Sequence, residues 1–184
     1  MCKAIDVANF FIDMANNDPD DCMTNLRVNK LLYFAQAWNL VRNNKPLFED
    51  EIQAWQYGPV VPNVYHTFKP CGRERIASTS DDYSFSRLSC EEIMLLIDVM
   101  REYGRFSSPA LVDMTHEAGS PWARVYDPNH NNSITNDSLF DYFSTQQPLP
   151  KFSVIDDAED DLLGRRDPKD GLLILPQEYD DESN

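Results

Sequence analysis

Apolar residues cover most of the circumference of the helix that periodicity predicts for residues 24–42. They fall on more than one face, with Val28, Leu31, Leu32, Ala35 and Trp38 on one side and Phe34 and Ala37 on another. A helix this apolar has to be covered by other elements, so it predicts a central helix. Its polar residues Asn29, Lys30 and Gln36 then need partners or a route to solvent, because an unpaired buried polar group costs about 1–3 kcal/mol.

Helical periodicity and capping residues recur along the rest of the chain as far as residue 147. Further helices are predicted for residues 4–16, from a start near Pro62, from the Ser89 and Glu92 capping box to Gly104, from Ser108 to Gly119, after Ser120, and after a Thr135 cap. The sequence therefore predicts a mainly α, compact single-domain helical bundle of about six to seven helices. A short strand is considered for residues 83–85.

The stretch "IQAWQYGPVVPNVYHTFK", residues 52–69, combines alternating apolar residues with two prolines. Pro59 and Pro62 keep the preceding residues out of the helical region, which favours a small β-hairpin leading into a helix. Trp and Tyr on a rigid frame are typical of protein interfaces. The predicted partner-binding residues are Trp55, Gln56, Tyr57, Pro59, Val60, Val61, Asn63 and Tyr65. The alternative is that Trp55, Tyr57 and Tyr65 belong to the core.

Charge and composition exclude several classes of function. The net charge of −15 would repel nucleic-acid phosphates and attract a basic protein, so the sequence predicts a protein partner and argues against direct nucleic-acid binding. No segment approaches the ~18 apolar residues of a membrane span, which favours a cytoplasmic protein without a membrane partner. The cysteines form no CxxC pair and have no nearby histidine, which predicts reduced thiols at Cys2, Cys22, Cys71 and Cys90.

From residue 148 the composition changes, and residues 148–184 are predicted to form an acidic, flexible C-terminal tail. Residues 151–184 contain 11 acidic and 4 basic side chains, a net charge of −7. The apolar run in "GLLILP" is the exception, and it would suit a short strand that docks on the domain or on a partner. Residues 1–147 form the predicted domain.

Motifs for catalysis or cofactor binding are absent from the sequence. His66, His116 and His130 lack metal-ligand spacing, and no glycine-rich phosphate loop is present, so no metal, cofactor or enzymatic activity is predicted. Lys30 among apolar neighbours suits an amine that reaches solvent or a buried ion pair better than a catalytic amine. An enzyme using His116 with Glu117 near Trp122 is the weakest alternative, since "THEAGSPW" also suits a helix end followed by a cap.

Four stretches together resemble one family: "LRVNKLLYFAQAWNLV", "PLFEDEIQAWQYGPVVPNVYHTFK", "LSCEEIMLLIDVMREYG" and "LVDMTHEAGSPWARVY". Their order and spacing are similar to those of the phage-associated GepA/SocA-like proteins, which share the Panacea domain, and the resemblance covers residues 4–145. It implies a mainly helical antitoxin, without known catalytic activity, that neutralises a cognate toxin by direct binding. The alternative that the resemblance implies is a proteolytic adaptor that delivers the toxin to a ClpXP-type protease.

Overall fold

The structure is a computed structural model that describes residues 2–17, 21–77, 79, 84–151, 165–166 and 173–174. Within these residues it contains seven α-helices: α1 (Ala4–Asn16), α2 (Asn25–Asn43), α3 (Pro62–Phe68), α4 (Cys90–Tyr103), α5 (Ser108–Thr115), α6 (Pro121–Val125) and α7 (Asn136–Phe143). The predicted mainly α bundle is confirmed. No helix in the described part of the chain is both long and apolar enough to cross a lipid bilayer.

Helix α2 is the centre of this bundle, as its wide apolar surface predicts. It contacts α1, α3, α4, α5 and α7, and every residue from 27 to 40 is buried. At about 25 cal/mol per Å² of buried apolar surface, this helix contributes more to the core than any single-faced helix of its length would. The elements around α2 are therefore positioned chiefly by what they contact on it.

Gln36 shows how a polar residue is accommodated at this depth in the bundle. Its amide nitrogen donates to the carbonyl of Phe48 at 3.1 Å and to Oδ1 of Asn136 at 2.9 Å. Its Oε1 accepts from the backbone amides of Leu47 and Phe48 at 3.0 and 3.2 Å. The side chain therefore has partners on both sides, as its buried position requires, and it fixes the loop after α2 against the start of α7.

A three-stranded antiparallel sheet with strand order β2-β1-β3 lies beside the helices. It consists of β1 (Ile52–Trp55), β2 (Gly58–Val60) and β3 (Ser133–Ile134). Strands β1 and β2 form the predicted hairpin. Strand β3 comes from a polar segment about 80 residues away in sequence and pairs Ile134 with Ile52, a long-range contact that local pattern does not indicate.

Two local predictions are wrong. Helix α5 is capped by Ser107 and ends at Thr115, four residues before the predicted end at Gly119. Its last turn closes because the Thr115 hydroxyl donates to the carbonyl of Val112 at 2.8 Å, while the Ser120 hydroxyl donates to that of Thr115 at 2.8 Å. Phe85–Arg87 forms a 3₁₀ turn where a strand was considered, and Tyr83 lies outside the described residues.

The chain divides into two compact units, Met1–Pro150 and Lys151–Asn184. This division lies three residues beyond the predicted one after Gln147, since Leu149 is buried and its carbonyl accepts from Arg42 at 3.4 Å. In the second unit, β4 (Arg165–Arg166) pairs antiparallel with β5 (Leu173–Ile174). Leu173 and Ile174 of "GLLILP" thus form a strand that is paired within its own unit, and the other tail residues from 152 onward lie outside the described residues.

Candidate protein-binding site

The hairpin ends in a two-residue turn made by Gln56 and Tyr57. Strand register pairs Trp55 with Gly58, so only these two residues connect β1 to β2. Gly58 has φ +96°, a conformation that residues with a Cβ rarely adopt. Both turn side chains point outward, and Tyr57 is 63% exposed, the largest fraction among the exposed large hydrophobic residues described. The turn is therefore an aromatic projection on a tightly closed hairpin.

Gly58 also allows the hairpin to approach α2 and α5 closely. A Cβ at this position would lie 2.7 Å from Cε of Lys30 and 2.7 Å from Oγ1 of Thr115. Side-chain contacts of this length do not occur without displacing the neighbour. A glycine is therefore required here for two reasons, backbone conformation and space.

Lys30 holds the hairpin from the inside of the molecule. Its side chain is fully buried, and Nζ donates to the carbonyl of Pro59 at 2.9 Å. Burial lowers the pKa of Lys30 to about 7, because a cation without bulk water around it loses solvation energy. Of the two arrangements expected for this amine, exit to solvent is wrong because α2 is covered on that side, and Nζ bonds to a backbone carbonyl rather than to the carboxylate of an ion pair. Lys30 acts instead as a buried donor that fixes β2.

Asn29, the preceding residue of α2, fixes the entry into α3. Its Oδ1 accepts from the backbone amide of Val61 at 2.9 Å, and its Nδ2 donates to the carbonyl of Asn25 at 2.8 Å. Asn25 in turn donates from Nδ2 to the carbonyl of Tyr65 at 2.9 Å. These bonds satisfy backbone groups that a proline-rich segment cannot pair regularly. They hold the whole segment from Gly58 to Tyr65 in one conformation.

Trp122 supports the other strand of the hairpin. Its indole Nε1 donates to the carbonyl of Trp55 at 2.9 Å, and its ring stacks on Tyr126 with centroids 4.5 Å apart. His116 also packs on Trp122, with ring centroids 3.7 Å apart. Burial and then the charge of Lys30 lower the pKa of His116, against the opposing charge of Asp113, which favours the neutral imidazole.

Comparison with protein-family models shows which family the region around this hairpin belongs to. The model described as "Antitoxin SocA-like, Panacea domain" matches residues 28–123, which is 96 of the 184 residues. The chain belongs to the SocA-like Panacea family. The resemblance seen in the sequence motifs is thereby confirmed.

A curated relative gives a second, longer match to this Panacea-domain chain. Antitoxin SocA from Caulobacter vibrioides (strain NA1000 / CB15N) is 35% identical over 125 residues, which cover 63% of this chain and 66% of the relative. The match therefore spans slightly less than two thirds of the relative's length. No solved structure matches the chain.

The Panacea match places the hairpin and its supports within one family module. It runs from α2 through the hairpin to α6, and so contains Lys30, Gly58 and Trp122. Three of the sequence motifs that carried the resemblance, "NKLLYFAQ", "WQYGPVVP" and "THEAGSPW", meet around the hairpin in the folded chain through the contacts described above. The residues that make the motifs recognisable thus serve largely to position β1 and β2.

Three residues of the predicted partner-binding set are buried in the structure. Pro59, Val60 and Val61 are buried, so their side chains do not form part of the accessible surface of this fold. The physical reason is that the Pro59 carbonyl in β2 accepts from Lys30 and the amide of Val61, directly after β2, donates to Asn29, so two bonds to α2 draw this segment against the core. These three residues complete the hydrophobic interior beneath the hairpin.

Five predicted residues remain accessible and are called the hairpin surface: Trp55, Gln56, Tyr57, Asn63 and Tyr65. Trp55 and Tyr65 are half-buried and pack edge to face, with ring centroids 4.8 Å apart. Asn63 is exposed and donates from Nδ2 to Asp50 at 3.2 Å. The three aromatic residues of this surface, Trp55, Tyr57 and Tyr65, are called the aromatic ridge, and Trp122 holds Trp55 through its backbone carbonyl.

Sequence reasoning missed one flank of this ridge. Tyr126, Asp127, Pro128 and Asn131 line a cavity of about 420 Å³ beside Trp55. The i, i+4 spacing of two aromatic residues in "WARVY" was an available signal, because such residues share a helix face.

Within the described residues, no group of three or more His, Cys, Asp and Glu side chains is arranged to hold a metal ion. His116 and Glu117, the residues of the weakest alternative, contact different groups. His116 packs on Trp122, whereas Glu117 accepts from the hydroxyl of Tyr142 at 3.1 Å. Their arrangement thus differs from a paired acid and base facing one substrate.

Proposed function

We propose that this chain is an antitoxin that neutralises a cognate toxin by direct protein–protein binding in the cytoplasm, and that the hairpin surface forms part of the contact. The observation that carries the binding site is the rigidly supported aromatic ridge of Trp55, Tyr57 and Tyr65. Family membership and the relative named Antitoxin SocA support the antitoxin role. Non-enzymatic action is part of the same proposal.

The physical argument for the site is preorganisation. Tyr and Trp are enriched among the residues that dominate binding energy, and they lose little conformational entropy when they are already held in place. Here the turn is fixed by Gly58, and β1 is fixed by the Trp122 hydrogen bond to Trp55. A partner can therefore bind the ridge without ordering it first.

Charge supports a basic partner. The net charge of −15 speeds encounter with a positively charged protein and disfavours encounter with nucleic acid. A basic toxin that acts on RNA, nucleotides or anionic surfaces would be covered by such a molecule. Its active surface would then be blocked by both shape and charge.

Co-expression tests the proposal most simply. The product of the gene adjacent to the one that encodes this chain is expressed alone, together with this chain, and together with a Tyr57→Ala variant of this chain. We expect growth arrest alone, recovery and copurification with the natural chain, and weaker recovery with the variant. Phe140→Ala, at an exposed aromatic residue on α7, is the matched control and is expected to protect fully. A neighbour that is harmless and does not copurify contradicts the proposal.

The adaptor alternative is favoured by one observation, the division of the chain into the units Met1–Pro150 and Lys151–Asn184. An adaptor for a ClpXP-type protease needs one region for its cargo and another for the protease. Ending the chain after Pro150 preserves Leu149 in the core and separates the two functions. A shortened chain that binds the toxin but no longer promotes its degradation supports the adaptor, whereas full protection supports sequestration.

A further inference from the structure

A second surface feature is an aromatic groove between α2, α4 and α7, away from the hairpin turn. Its aromatic lining consists of Tyr33, Phe34, Trp38, Tyr103, Tyr142 and Phe143. Met114 and the segment 146–150 complete the walls around a cavity of about 350 Å³. This volume lies at the lower end of the ~300–1,000 Å³ typical of ligand sites, and it suits one or two side chains better than a large molecule.

The floor of this groove is rigid. Phe34 and Tyr103 stack with centroids 3.9 Å apart and planes 9° apart. The indole Nε1 of Trp38 donates to the Tyr103 hydroxyl at 2.9 Å, and Phe143 packs edge to face on Trp38 at 5.3 Å. Interlocked rings of this kind keep their faces in place, so the groove exists before any partner arrives.

Two carboxylates, Glu102 and Glu117, stand among the groove-lining residues, which include no Lys or Arg. Glu117 accepts from Tyr142, and Glu102 accepts from Arg105 at 2.9 Å. Each of these bonds uses one oxygen of a carboxylate that has two. The Arg105 side chain is 62% exposed, and a surface ion pair of this type is worth at most about 1 kcal/mol, so a partner cation can replace it.

Glu102 and Glu117 place negative charge beside the tyrosines of the groove. Burial raises the pKa of Tyr103 to about 12, against the hydrogen bond with Trp38, and the charges of Glu102 and Glu117 act in the same direction as burial. Burial and then the hydrogen bond and charge of Glu117 raise the pKa of Tyr142, with Arg124 as the opposing charge. Negative charge beside aromatic faces is an environment that attracts a cation with an apolar stem.

We propose that this groove binds an arginine side chain of the partner protein, with its alkyl stem on the aromatic floor and its guanidinium group at Glu102 and Glu117. Arginine fits better than lysine because its planar guanidinium stacks on aromatic rings and pairs with carboxylates through two donors. The identification of the partner as a toxin rests on the proposed function. The groove itself is a second anchor point, independent of the hairpin surface.

A peptide titration followed by NMR tests the groove directly. The probe is the acetylated and amidated tripeptide Leu-Arg-Leu, and the matched control replaces arginine with neutral citrulline. On the full-length protein we expect a saturable shift of the Trp38 indole N–H signal with the arginine peptide. We expect the citrulline peptide to bind at least about tenfold more weakly, since it keeps the shape but loses the charge.

Variants locate the binding. Glu102→Gln with Glu117→Gln is expected to weaken arginine-peptide binding about tenfold or more, whereas Glu91→Gln, an exposed carboxylate at the start of α4, leaves it unchanged. If the double variant unfolds, Glu117→Gln alone serves, because Glu117 is exposed. Equal binding of both peptides, or equal binding by the groove variants, overturns the proposal. So does a dimer in which the groove is covered by a second copy.

The two proposals fail in different ways. If the arginine peptide binds the groove but the neighbouring gene product is not neutralised, the proposed function fails and the groove stands. If the toxin is neutralised and copurifies equally with the groove double variant, the groove proposal fails and the antitoxin stands. Loss of both peptide binding and copurification in the groove variant, with the hairpin unchanged, supports the two proposals together.

Discussion

The turn of the hairpin and the start of its second strand are adjacent in sequence and lie in opposite environments. Gln56 and Tyr57 are exposed, while Gly58 and Pro59 are buried against α2 and α5. The buried pair is held by Lys30 and by the lack of a side chain at Gly58. The difference teaches that one motif contains both a surface that can bind and the support that holds it, and that the two have to be tested separately.

Among the variants proposed here, Gly58→Ala should reduce the stability of the fold most, because Gly58 belongs to the buried part of the hairpin. The added methyl would clash at 2.7 Å with Lys30 and Thr115 and would hold a non-glycine residue at φ +96°, so we expect a loss of about 3 kcal/mol in the free energy of unfolding. Urea denaturation measures it. Gly119→Ala is the matched control, because its φ is +80° but nothing lies within 4 Å of the new Cβ. Equal losses in the two variants would show that the close approach is unimportant.

The buried Lys30 should make the free energy of unfolding of the protein depend on pH. Its pKa in the folded protein, about 7, lies below the ordinary 10.5, so unfolding takes up a proton between these values. The free energy of unfolding therefore rises with pH in this window, by about 2 kcal/mol from pH 7 to pH 9 for this group. Below pH 7 the lysine is charged in both states and adds no slope.

Lys30→Met removes this titration, so the difference in unfolding free energy between natural protein and variant isolates it. We expect that difference to rise with pH between 7 and 9, even though tyrosines and cysteines titrate in both proteins. Chemical denaturation at several pH values is the measurement. A difference that stays constant across this range would mean that Lys30 keeps its proton when buried.

Local features of the fold could be predicted from the sequence, whereas features that depend on long-range contacts could not. The capping residues Ser89, Ser120 and Thr135 start their helices as predicted, because a cap is a local hydrogen bond between neighbours in sequence. The mainly α class and the hairpin followed in the same way. The burial of Val60 could not be predicted, because it depends on long-range hydrogen bonds between α2 and the proline-rich segment.

The sequence indicates part of the candidate site and nothing of the groove. The exposed position of Tyr57 follows from a two-residue turn, yet the same sequence pattern also suited a core residue. The groove lining combines α2, α4, the end of α5 and α7, and Phe34 meets Tyr103 only after the helices pack. No periodicity within one helix indicates which faces of two helices will meet, so the groove was invisible in the sequence.

The exposed turn should respond through binding and not through stability. Tyr57→Ala is expected to weaken toxin binding by about 2 kcal/mol, or about 30-fold in Kd, with an unchanged free energy of unfolding. Isothermal titration calorimetry with the purified toxin measures the affinity. Phe140→Ala is the control variant, with expected changes below about twofold. If Tyr57→Ala instead destabilises the fold and binds normally, the assignment of the two parts of the hairpin is reversed.

The smallest expected effect is that of salt. Because the chain carries a net charge of −15, raising the ionic strength from about 0.05 M to about 0.5 M should slow association with a basic toxin about fivefold. Dissociation from the aromatic ridge should change less, since screening affects long-range attraction more than packed contacts. Surface plasmon resonance separates the two rates. An association rate independent of salt would argue for an uncharged or acidic partner.

Hydrogen–deuterium exchange of the protein with and without its toxin tests the central claim most directly. The account predicts that the backbone amides of Gln56 and Tyr57 become protected in the complex, while the amides of Val61 and Tyr65, already bonded to Asn29 and to the Val61 carbonyl, exchange slowly in both states. Protection elsewhere on the molecule, with unchanged exchange at the turn, would contradict the assignment of the hairpin surface as a toxin contact.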